Sequence, residues 1–283
     1  MKRIVSIQDF SCVGKCSLTA AIPVISAAGV EACAIPTALL SNHTGFSTFY
    51  SLDLTAQLEP IGGQLNRLGI TFDAIYTGYI ASVPQMKMIE RFIEDFRTEN
   101  TLIFVDPVMG DNGKIYPALS SDYPENMRTL CGCADIITPN ITEACLLTDR
   151  EYCAAPTEAQ LDEMLSKLLA LGAAAVVITG VCRGDKIGIV GELNSGERFE
   201  RFSERTEINV SGTGDVFASA LLGAVMRGAS VSQAAMIAEE FTSKAVKITA
   251  ESPDRRFYGI HFEQALGLYI RLLEQIEKRD GNA

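Results

Sequence analysis

The sequence predicts an α/β protein with a mostly parallel central sheet flanked by helices. Two observations predict this fold class. Short apolar runs rich in β-branched residues alternate with longer segments of helical periodicity, and several of the runs end in polar turns. The chain of 283 residues is long enough for one large core. Because no internal repeat or linker rich in Pro, Gly or Ser divides it, we expect one domain over residues 1–283.

The strands and helices follow this alternation along the chain. The predicted strands span residues 4–7, 30–35, 74–77, 102–105, 135–137 and 175–179, and a hairpin joins residues 186–190 and 198–202. The predicted helices span residues 17–28, 85–97, 157–171, 214–227 and 231–248. Gly29 follows the first helix at the position where glycine commonly ends one. The turn of the hairpin is the run NSG at residues 194–196.

Composition excludes several classes of protein. The net charge of −11 argues against a nucleic-acid partner or an acidic membrane surface, because both require clustered Lys and Arg. The longest apolar runs have the length of strands, so neither a signal peptide nor a membrane span is predicted. The eight cysteines form no CxxC motif, and the two histidines accompany no zinc pattern. We therefore expect free, mostly buried thiols and a cytoplasmic protein.

The strongest local signal is the run SGTGD at residues 211–215, which an apolar helix follows. Glycines let the backbone approach a ligand closely, and a helix N-terminus presents unpaired N–H groups and a positive dipole end to an anion. Asp215 would lie in the first turn, beside a bound phosphoryl group. Acidic residues also favour helix starts without any catalytic role, so this motif alone leaves both interpretations open.

Two further turns carry carboxylates after buried strands. They are DPVMGD at residues 106–111 and TPNITE at residues 138–143. Each alone is typical of an ordinary turn or helix start. In a parallel sheet, however, the ligand crevice lies outside the carboxyl ends of the strands, where these turns converge. Crowded carboxylates favour a cation, and Mg²⁺ prefers such hard oxygen ligands.

Two other phosphate-binding patterns fail. The run GKCS at residues 14–17 is similar to the end of a P-loop, but Asp9 replaces its first glycine and Cys16 replaces the Ser or Thr after Lys15. No GxGxxG motif follows a strand, so the sequence has no dinucleotide fingerprint.

The order of the motifs resembles that of the pyridoxal kinases, in the ribokinase-like superfamily. The resemblance rests on SIQ at residues 6–8, SNHTG at 41–45 and TGY at 77–79, together with the three turns described above, and it covers nearly the whole chain. SNHTG points to pyridoxal kinases over ribokinases. The resemblance implies a three-layer ribokinase-like fold and ATP-dependent phosphorylation of the 5′-hydroxymethyl group of pyridoxal, pyridoxine or pyridoxamine. It also implies Mg²⁺, a monovalent cation such as K⁺, and a homodimer.

Matched residue by residue, the resemblance assigns roles to individual side chains. The catalytic group comprises the base Asp215 and an anion hole of Gly212, Thr213 and Gly214. The vitamin-binding group comprises Asp9, His43, Thr44 and Tyr79. The nucleotide-binding group comprises Asp111, Tyr116, Asn140, Thr179 and Gly180. The metal group comprises Asp106, Asp111, Thr138 and Glu143, of which Asp106 and Thr138 match the position of the monovalent cation. His43 also fits a structural histidine that holds its loop.

The chain departs from the family pattern at Asp9, where pyridoxal kinases commonly carry Ser. A carboxylate there would stay ionised with a donor or cation opposite it, and the ammonium group of pyridoxamine is one such partner. Alternatively, Asp9 pairs with Lys15 at the rim of the pocket or turns to solvent.

Two other functions share the scaffold. One is a hydroxymethylpyrimidine kinase of thiamine synthesis, against which the run SNHT stands. The other is a non-catalytic vitamin-binding protein, which would have no need of a base at Asp215.

Overall fold

The computed structural model of the chain describes residues 1–208 and 210–280, with side chains as far as residue 276. Strands and helices from residue 3 to residue 280 build one large sheet and a helical layer on each of its faces. The predicted α/β fold class is confirmed. Because both layers pack on the same sheet, the architecture also supports the proposal of a single domain.

The central sheet contains nine strands, and six of them are parallel. In chain order the strands of the protein are β1 (Arg3–Ser11), β2 (Glu31–Leu40), β3 (Ser51–Asp53), β4 (Ala74–Thr77), β5 (Leu102–Val105), β6 (Gly110–Asp111), β7 (Lys114–Ile115), β8 (Ile136–Ile137), β9 (Ala175–Arg183), β10 (Lys186–Leu193) and β11 (Arg198–Glu204). Across the sheet they run β11-β10-β9-β8-β5-β4-β1-β2-β3. The strands from β9 to β2 are parallel, whereas β3, β10 and β11 add antiparallel pairs at the two edges. A separate two-stranded hairpin consists of β6 and β7.

The helices form two layers, each with its own apolar core. They are α1 (Ser17–Ala27), α2 (Thr55–Arg67), α3 (Val83–Phe96), α4 (Tyr123–Gly132), α5 (Ile141–Leu147), α6 (Glu158–Leu169), α7 (Thr213–Met226), α8 (Val231–Glu251) and α9 (Leu266–Asp280). The first core lies against α1, α7, α8 and α9, and the second lies against α2 to α6. Alternation along β1 serves both cores, since Ile4 packs in the first and Val5 and Ile7 pack in the second.

Most predicted elements are present at nearly the predicted positions. The strands predicted over 74–77 and 102–105 match β4 and β5 residue for residue, and the five predicted helices correspond to α1, α3, α6, α7 and α8. The elements absent from the prediction are β3, β6, β7, α2, α4 and α9. Helix α2 contains Pro60 and two glycines, which lower helix propensity. It is stable because Gly62 lets the Phe92 ring of α3 pack closely against its backbone.

Two strands extend beyond the turns predicted to end them. The sequence places Gln8 and Asp9 in a turn after the first strand, but β1 continues to Ser11 and pairs with β2. The register of that pairing shifts between Gln8 and Phe10, so Asp9 lies at an irregularity that redirects its side chain. Likewise, Gly180 does not end β9 but lies within it, where the register against β10 also shifts.

The eight cysteines are all free thiols, as predicted. The prediction that they are mostly buried is wrong, because only Cys16, Cys131 and Cys145 are buried. The others lie partly or fully exposed in strands, loops and at a helix end, where a small side chain is tolerated. None of the helices in the described part of the chain is both long and apolar enough to cross a membrane.

Candidate active site

The N-terminus of α7 forms the centre of the site. Gly212 precedes the helix with a φ of +80°, a left-handed conformation that glycine adopts without strain. A Cβ atom on Gly212 would collide with the carbonyl oxygen of Lys15, whereas Gly214 faces open space. Among the described residues, no side chain caps this end of α7. The N–H groups of the first turn, including that of Thr213, are therefore available to an anion.

Asp215 lies in this first turn, partly exposed to solvent. Burial by the surrounding protein raises the pKa of its carboxyl group to about 6, and the negative charge of Asp9 adds to this effect. The backbone N–H of Ser17 faces the same carboxylate and opposes the rise. Asp215 is therefore mostly ionised at neutral pH and can accept a proton there.

Asp9 lies on the other side of Ser17 and is almost entirely buried, with 6% of its surface exposed. The hydroxyl group of Ser17 donates to Asp9 Oδ1 at 2.5 Å, and that of Ser11 donates to Oδ2 at 3.3 Å. Burial raises the pKa of Asp9, and these hydroxyl donors lower it. Lys15 instead pairs with Glu263 at 2.9 Å. The alternative in which Asp9 pairs with Lys15 or turns to solvent is therefore wrong.

Two of the residues expected to bind the vitamin, His43 and Tyr79, lie near Asp9. The charge of Asp9 opposes the lowering of the His43 pKa caused by burial, and it contributes to the raised pKa of the Tyr79 hydroxyl. His43 Nδ1 accepts the N–H of Gly45 at 3.0 Å, so this nitrogen holds the SNHTG loop, as the structural interpretation of His43 predicts. Thr44 lies exposed on the same loop. His43 and Tyr79 thus each lie within electrostatic reach of Asp9.

Asp106 and Glu143 form a second acidic pair beside α7. Burial raises the pKa of Asp106 well above its usual value, and the negative charges of Glu143 and Asp215 raise it further. Burial also raises the pKa of Glu143 to about 8. The hydroxyl oxygen of Thr138 is buried without a hydrogen-bond partner among the described residues. A cation at this position would relieve the repulsion and supply that oxygen with a partner.

Asn140 and Glu143 begin α5 as a capping box. Asn140 Oδ1 accepts the Glu143 N–H at 3.0 Å, and Glu143 Oε2 accepts the Asn140 N–H at 2.8 Å. Glu143 Oε1 also accepts the Met109 N–H at 3.1 Å, which ties the turn after β5 to α5. The helix-start interpretation of this motif is therefore correct, and it places a carboxylate beside Asp106 as well.

The other residues expected to bind the nucleotide follow the ends of β5 and β8 or lie in β9. Asp111 is exposed in the β6–β7 hairpin, and its charge helps to raise the pKa of the Tyr116 hydroxyl. Thr179 forms an isolated bridge with Asn140, and its N–H donates to the Pro139 carbonyl at 2.9 Å. Gly180 follows with a φ of +71° and no atoms near its missing side chain. These side chains surround an open edge of the sheet.

Sequence reasoning missed Ser17, the residue that contacts both Asp9 and Asp215. It belongs to the GKCS run, which does not match a P-loop. The signal was the run's position directly after a strand and before a helix, which places a helix N-terminus at the crevice. Tyr76 was also missed. It belongs to the site because its buried hydroxyl faces Asp106 and Asp215 from the middle of the sheet.

Comparison with known proteins identifies relatives of the chain. The family model described as phosphomethylpyrimidine kinase matches residues 14–258. A pyridoxal kinase of Arabidopsis thaliana is 32% identical over 233 residues, which cover 78% of this chain and 73% of that protein.

Solved structures extend the similarity to the whole fold. A protein of Bacteroides thetaiotaomicron named as a phosphomethylpyrimidine kinase, in a crystal form with pyridoxal, superposes with a TM-score of 0.90 at 36% identity, covering 95% of each chain. The pyridoxal kinase of Lactobacillus plantarum superposes with a TM-score of 0.88 at 32% identity, covering 97% of this chain and 99% of the other. The chain therefore belongs to the pyridoxal kinases, within the phosphomethylpyrimidine kinase family of the ribokinase-like superfamily.

Proposed function

We propose that this chain transfers the γ-phosphoryl group of ATP to the 5′-hydroxymethyl group of pyridoxal, pyridoxine or pyridoxamine. The names of its relatives and the pyridoxal in a structural neighbour support the vitamin as substrate. The observation that carries the proposal is the position of Asp215. It lies in the first turn of α7 beside N–H groups that no described side chain caps, so a proton acceptor and an anion site adjoin each other.

The reaction follows from this adjacency. Ionised Asp215 accepts the proton of the hydroxymethyl group while the alcohol oxygen bonds to the γ-phosphorus, and the bond from that phosphorus to the oxygen of ADP breaks. The N–H groups of Gly212, Thr213 and Gly214 donate to the phosphoryl oxygens as charge develops on them. Because the pKa of Asp215 is about 6, the carboxylate is ionised yet remains basic enough to take the proton.

The two substrates would approach from opposite sides of α7. The vitamin ring is proposed to be held by Asp9, His43, Thr44 and Tyr79. The effect of the Asp9 charge on the pKa values of His43 and Tyr79 supports this grouping. Asp111, Tyr116, Asn140, Thr179 and Gly180 are proposed to line the nucleotide. No protein atom lies within 4 Å of a Cβ atom built on Gly180 or on Gly214, so a ligand can approach the main chain at either glycine.

The metal proposal fits the buried acidic pair. In the described residues no three His, Cys, Asp or Glu side chains are spaced to hold an ion by themselves. Asp106, Asp111 and Glu143 would therefore act on Mg²⁺ that also binds the nucleotide phosphates, directly or through its waters. When bound, Mg²⁺ would neutralise phosphate charge. Asp106 and the unpartnered hydroxyl of Thr138 would hold a monovalent cation such as K⁺.

Assembly and location are further proposals. A homodimer is supported by apolar side chains exposed at the β3 edge of the sheet, among them Phe49, Tyr50 and Leu52. Light scattering during gel filtration measures the mass in solution and tests this. The eight free thiols support a reducing cytoplasm.

The test of function is ATP consumption by the purified protein with each B6 vitamer, hydroxymethylpyrimidine and ribose. We expect turnover with at least one vitamer and a kcat/KM higher than that with the pyrimidine. A preference for the pyrimidine would contradict the proposal. Vitamin binding by calorimetry without turnover at saturating ATP and Mg²⁺ would instead identify a binding protein.

A further inference from the structure

Ser17 has an unusual backbone conformation for its place in the fold. It has a φ of +47°, in the left-handed region that residues other than glycine seldom occupy. Asn112 and Asp149 share this region, but both are exposed and of residue types that tolerate it. Ser17 is 5% exposed and is the first residue of α1. Such strain persists only where the surroundings hold it, and it concentrates at functional sites.

In this conformation the two polar donors of Ser17 face two different carboxylates. Its hydroxyl group donates to Asp9 Oδ1 at 2.5 Å, and its backbone N–H faces the carboxylate of Asp215, whose pKa it lowers. One residue thus holds two carboxylates that come from β1 and α7. Only Ser and Thr carry a hydroxyl donor on so short a side chain, and the branched Cβ of Thr disfavours a positive φ.

The two helix N-termini around Ser17 are fixed against each other. The Lys15 carbonyl oxygen lies where a Cβ atom of Gly212 would be, and the Lys15 N–H donates to the Tyr258 carbonyl at 3.1 Å. The Ser211 N–H donates to the neighbouring Phe257 carbonyl at 3.3 Å. These backbone contacts hold the start of α1 against the start of α7, and the φ of Ser17 then determines where its N–H points.

We propose that Ser17 is a positioning residue for phosphoryl transfer and that Asp9 acts on the reaction through it. Asp9 accepts the Ser17 hydroxyl and stabilises the left-handed backbone, and that backbone aims the Ser17 N–H at Asp215. The carboxylate of Asp215 is then oriented toward the alcohol before the substrates react. This inference rests on the proposed function and adds two residues to its machinery.

The test compares kcat and KM in variants that separate the hydroxyl, the charge and the backbone. Ser17→Gly removes the hydroxyl but accepts the positive φ, and Ser17→Ala removes the hydroxyl without that freedom. We expect both to lower kcat by about 10- to 100-fold for all three vitamers, with KM for vitamer and ATP within about threefold of wild type. A role in folding alone would lower the melting temperature but would leave the kcat of the folded enzyme unchanged.

Variants of Asp9 test whether an acceptor for the Ser17 hydroxyl is enough to preserve kcat. Asp9→Asn keeps an oxygen that can accept the Ser17 hydroxyl, so at pH 8 it should retain most of kcat, whereas Asp9→Ala should match Ser17→Gly. The double variant Asp9→Ala/Ser17→Gly should be no slower than the slower single variant, because residues that act as a unit are not additive. Ser11→Ala is the matched control. It removes the longer hydroxyl bond to Asp9, at 3.3 Å, and should lower kcat far less.

The outcomes separate this inference from the proposed function. If wild type is active and Asp215→Asn is not, a folded Ser17→Gly enzyme with normal kcat overturns the inference and leaves the function standing. Losses that multiply in the double variant also overturn it. Absence of turnover in wild type contradicts the proposed function itself.

Discussion

The site contains two pairs of carboxylates, Asp9 with Asp215 on one side and Asp106 with Glu143 on the other. Burial raises the pKa of all four, but the groups that face them differ. Ser17 lies between Asp9 and Asp215: its hydroxyl group donates to Asp9, and its backbone N–H faces Asp215. Asp106 instead faces the negative charges of Glu143 and Asp215.

The difference shows how one crevice supports two kinds of chemistry. Donors from a helix N-terminus keep Asp215 ionised and directed, which suits a base. A carboxylate that faces other carboxylates, beside the unpartnered hydroxyl of Thr138, creates a demand for a cation. Four variants or conditions test this contrast.

The largest effect is expected at the base. Asp215→Asn keeps the shape of the side chain but removes its capacity to take a proton, so kcat should fall by roughly 10²–10⁴-fold with nucleotide binding largely intact. The measurements are steady-state turnover and ADP binding by calorimetry. Asp122→Asn, the same change at the exposed start of α4, is the control and should leave kcat unaltered. Near-normal turnover in Asp215→Asn would show that Asp215 only complements the helix dipole.

Asp9→Ser tests whether Asp9 also reads the vitamin. Besides the uniform loss proposed to act through Ser17, we expect the ratio of kcat/KM for pyridoxamine to that for pyridoxal to fall by about five- to a hundredfold, since a carboxylate–ammonium contact contributes roughly 1–3 kcal/mol. The three vitamers are assayed side by side in wild type, Asp9→Ser and Ser17→Gly. An unchanged ratio in Asp9→Ser would mean that Asp9 does not recognise the amine.

Protonation of Asp215 should inactivate the enzyme at acid pH. Because the pKa of Asp215 is raised to about 6, its carboxylate is protonated as pH falls through that value, and kcat/KM should then drop by about tenfold per pH unit. The charge of Asp9 contributes to the raised pKa of Asp215, so Asp9→Asn should move the acid limb of the pH profile, where kcat/KM falls, to lower pH. A profile of kcat/KM from pH 5 to 8 checks both statements. A limb that stays in place in Asp9→Asn would exclude electrostatic coupling between the two carboxylates.

The smallest effect is expected at the second pair. Glu143→Gln removes a carboxyl group beside Asp106 that can ionise when Mg²⁺ binds, so the Mg²⁺ concentration for half-maximal rate should rise by about three- to tenfold. The measurement is a Mg²⁺ titration at saturating ATP. Glu125→Gln, in the exposed first turn of α4, serves as the control. An unchanged Mg²⁺ requirement with a normal rate would limit Glu143 to its capping box.

Much of the scaffold could be predicted because its signals are local. The runs that became β4 and β5 consist of apolar, aromatic and β-branched residues, as is typical of strands buried on both faces, and this indicated their bounds. Helix α9 was also within reach, since Tyr269, Leu273 and Ile276 repeat at helical spacing and are buried. Helix α2 was not, because its Pro60 and paired glycines oppose a helix that only packing against α3 stabilises.

The site likewise has features that local sequence signals predict and features that depend on tertiary contacts. The sequence by itself determined the fold class, the turns at the carboxyl ends of the parallel strands, and the carboxylates and glycines in those turns. Short-range periodicity and turn chemistry suffice for that. Only the tertiary structure decided that Asp9 lies in a strand, that Lys15 pairs with Glu263, and that Ser17 joins Asp9 to Asp215. These contacts depend on a register shift and on two helix ends that meet across the sheet, and pairing between distant segments leaves no mark in the local pattern of either one.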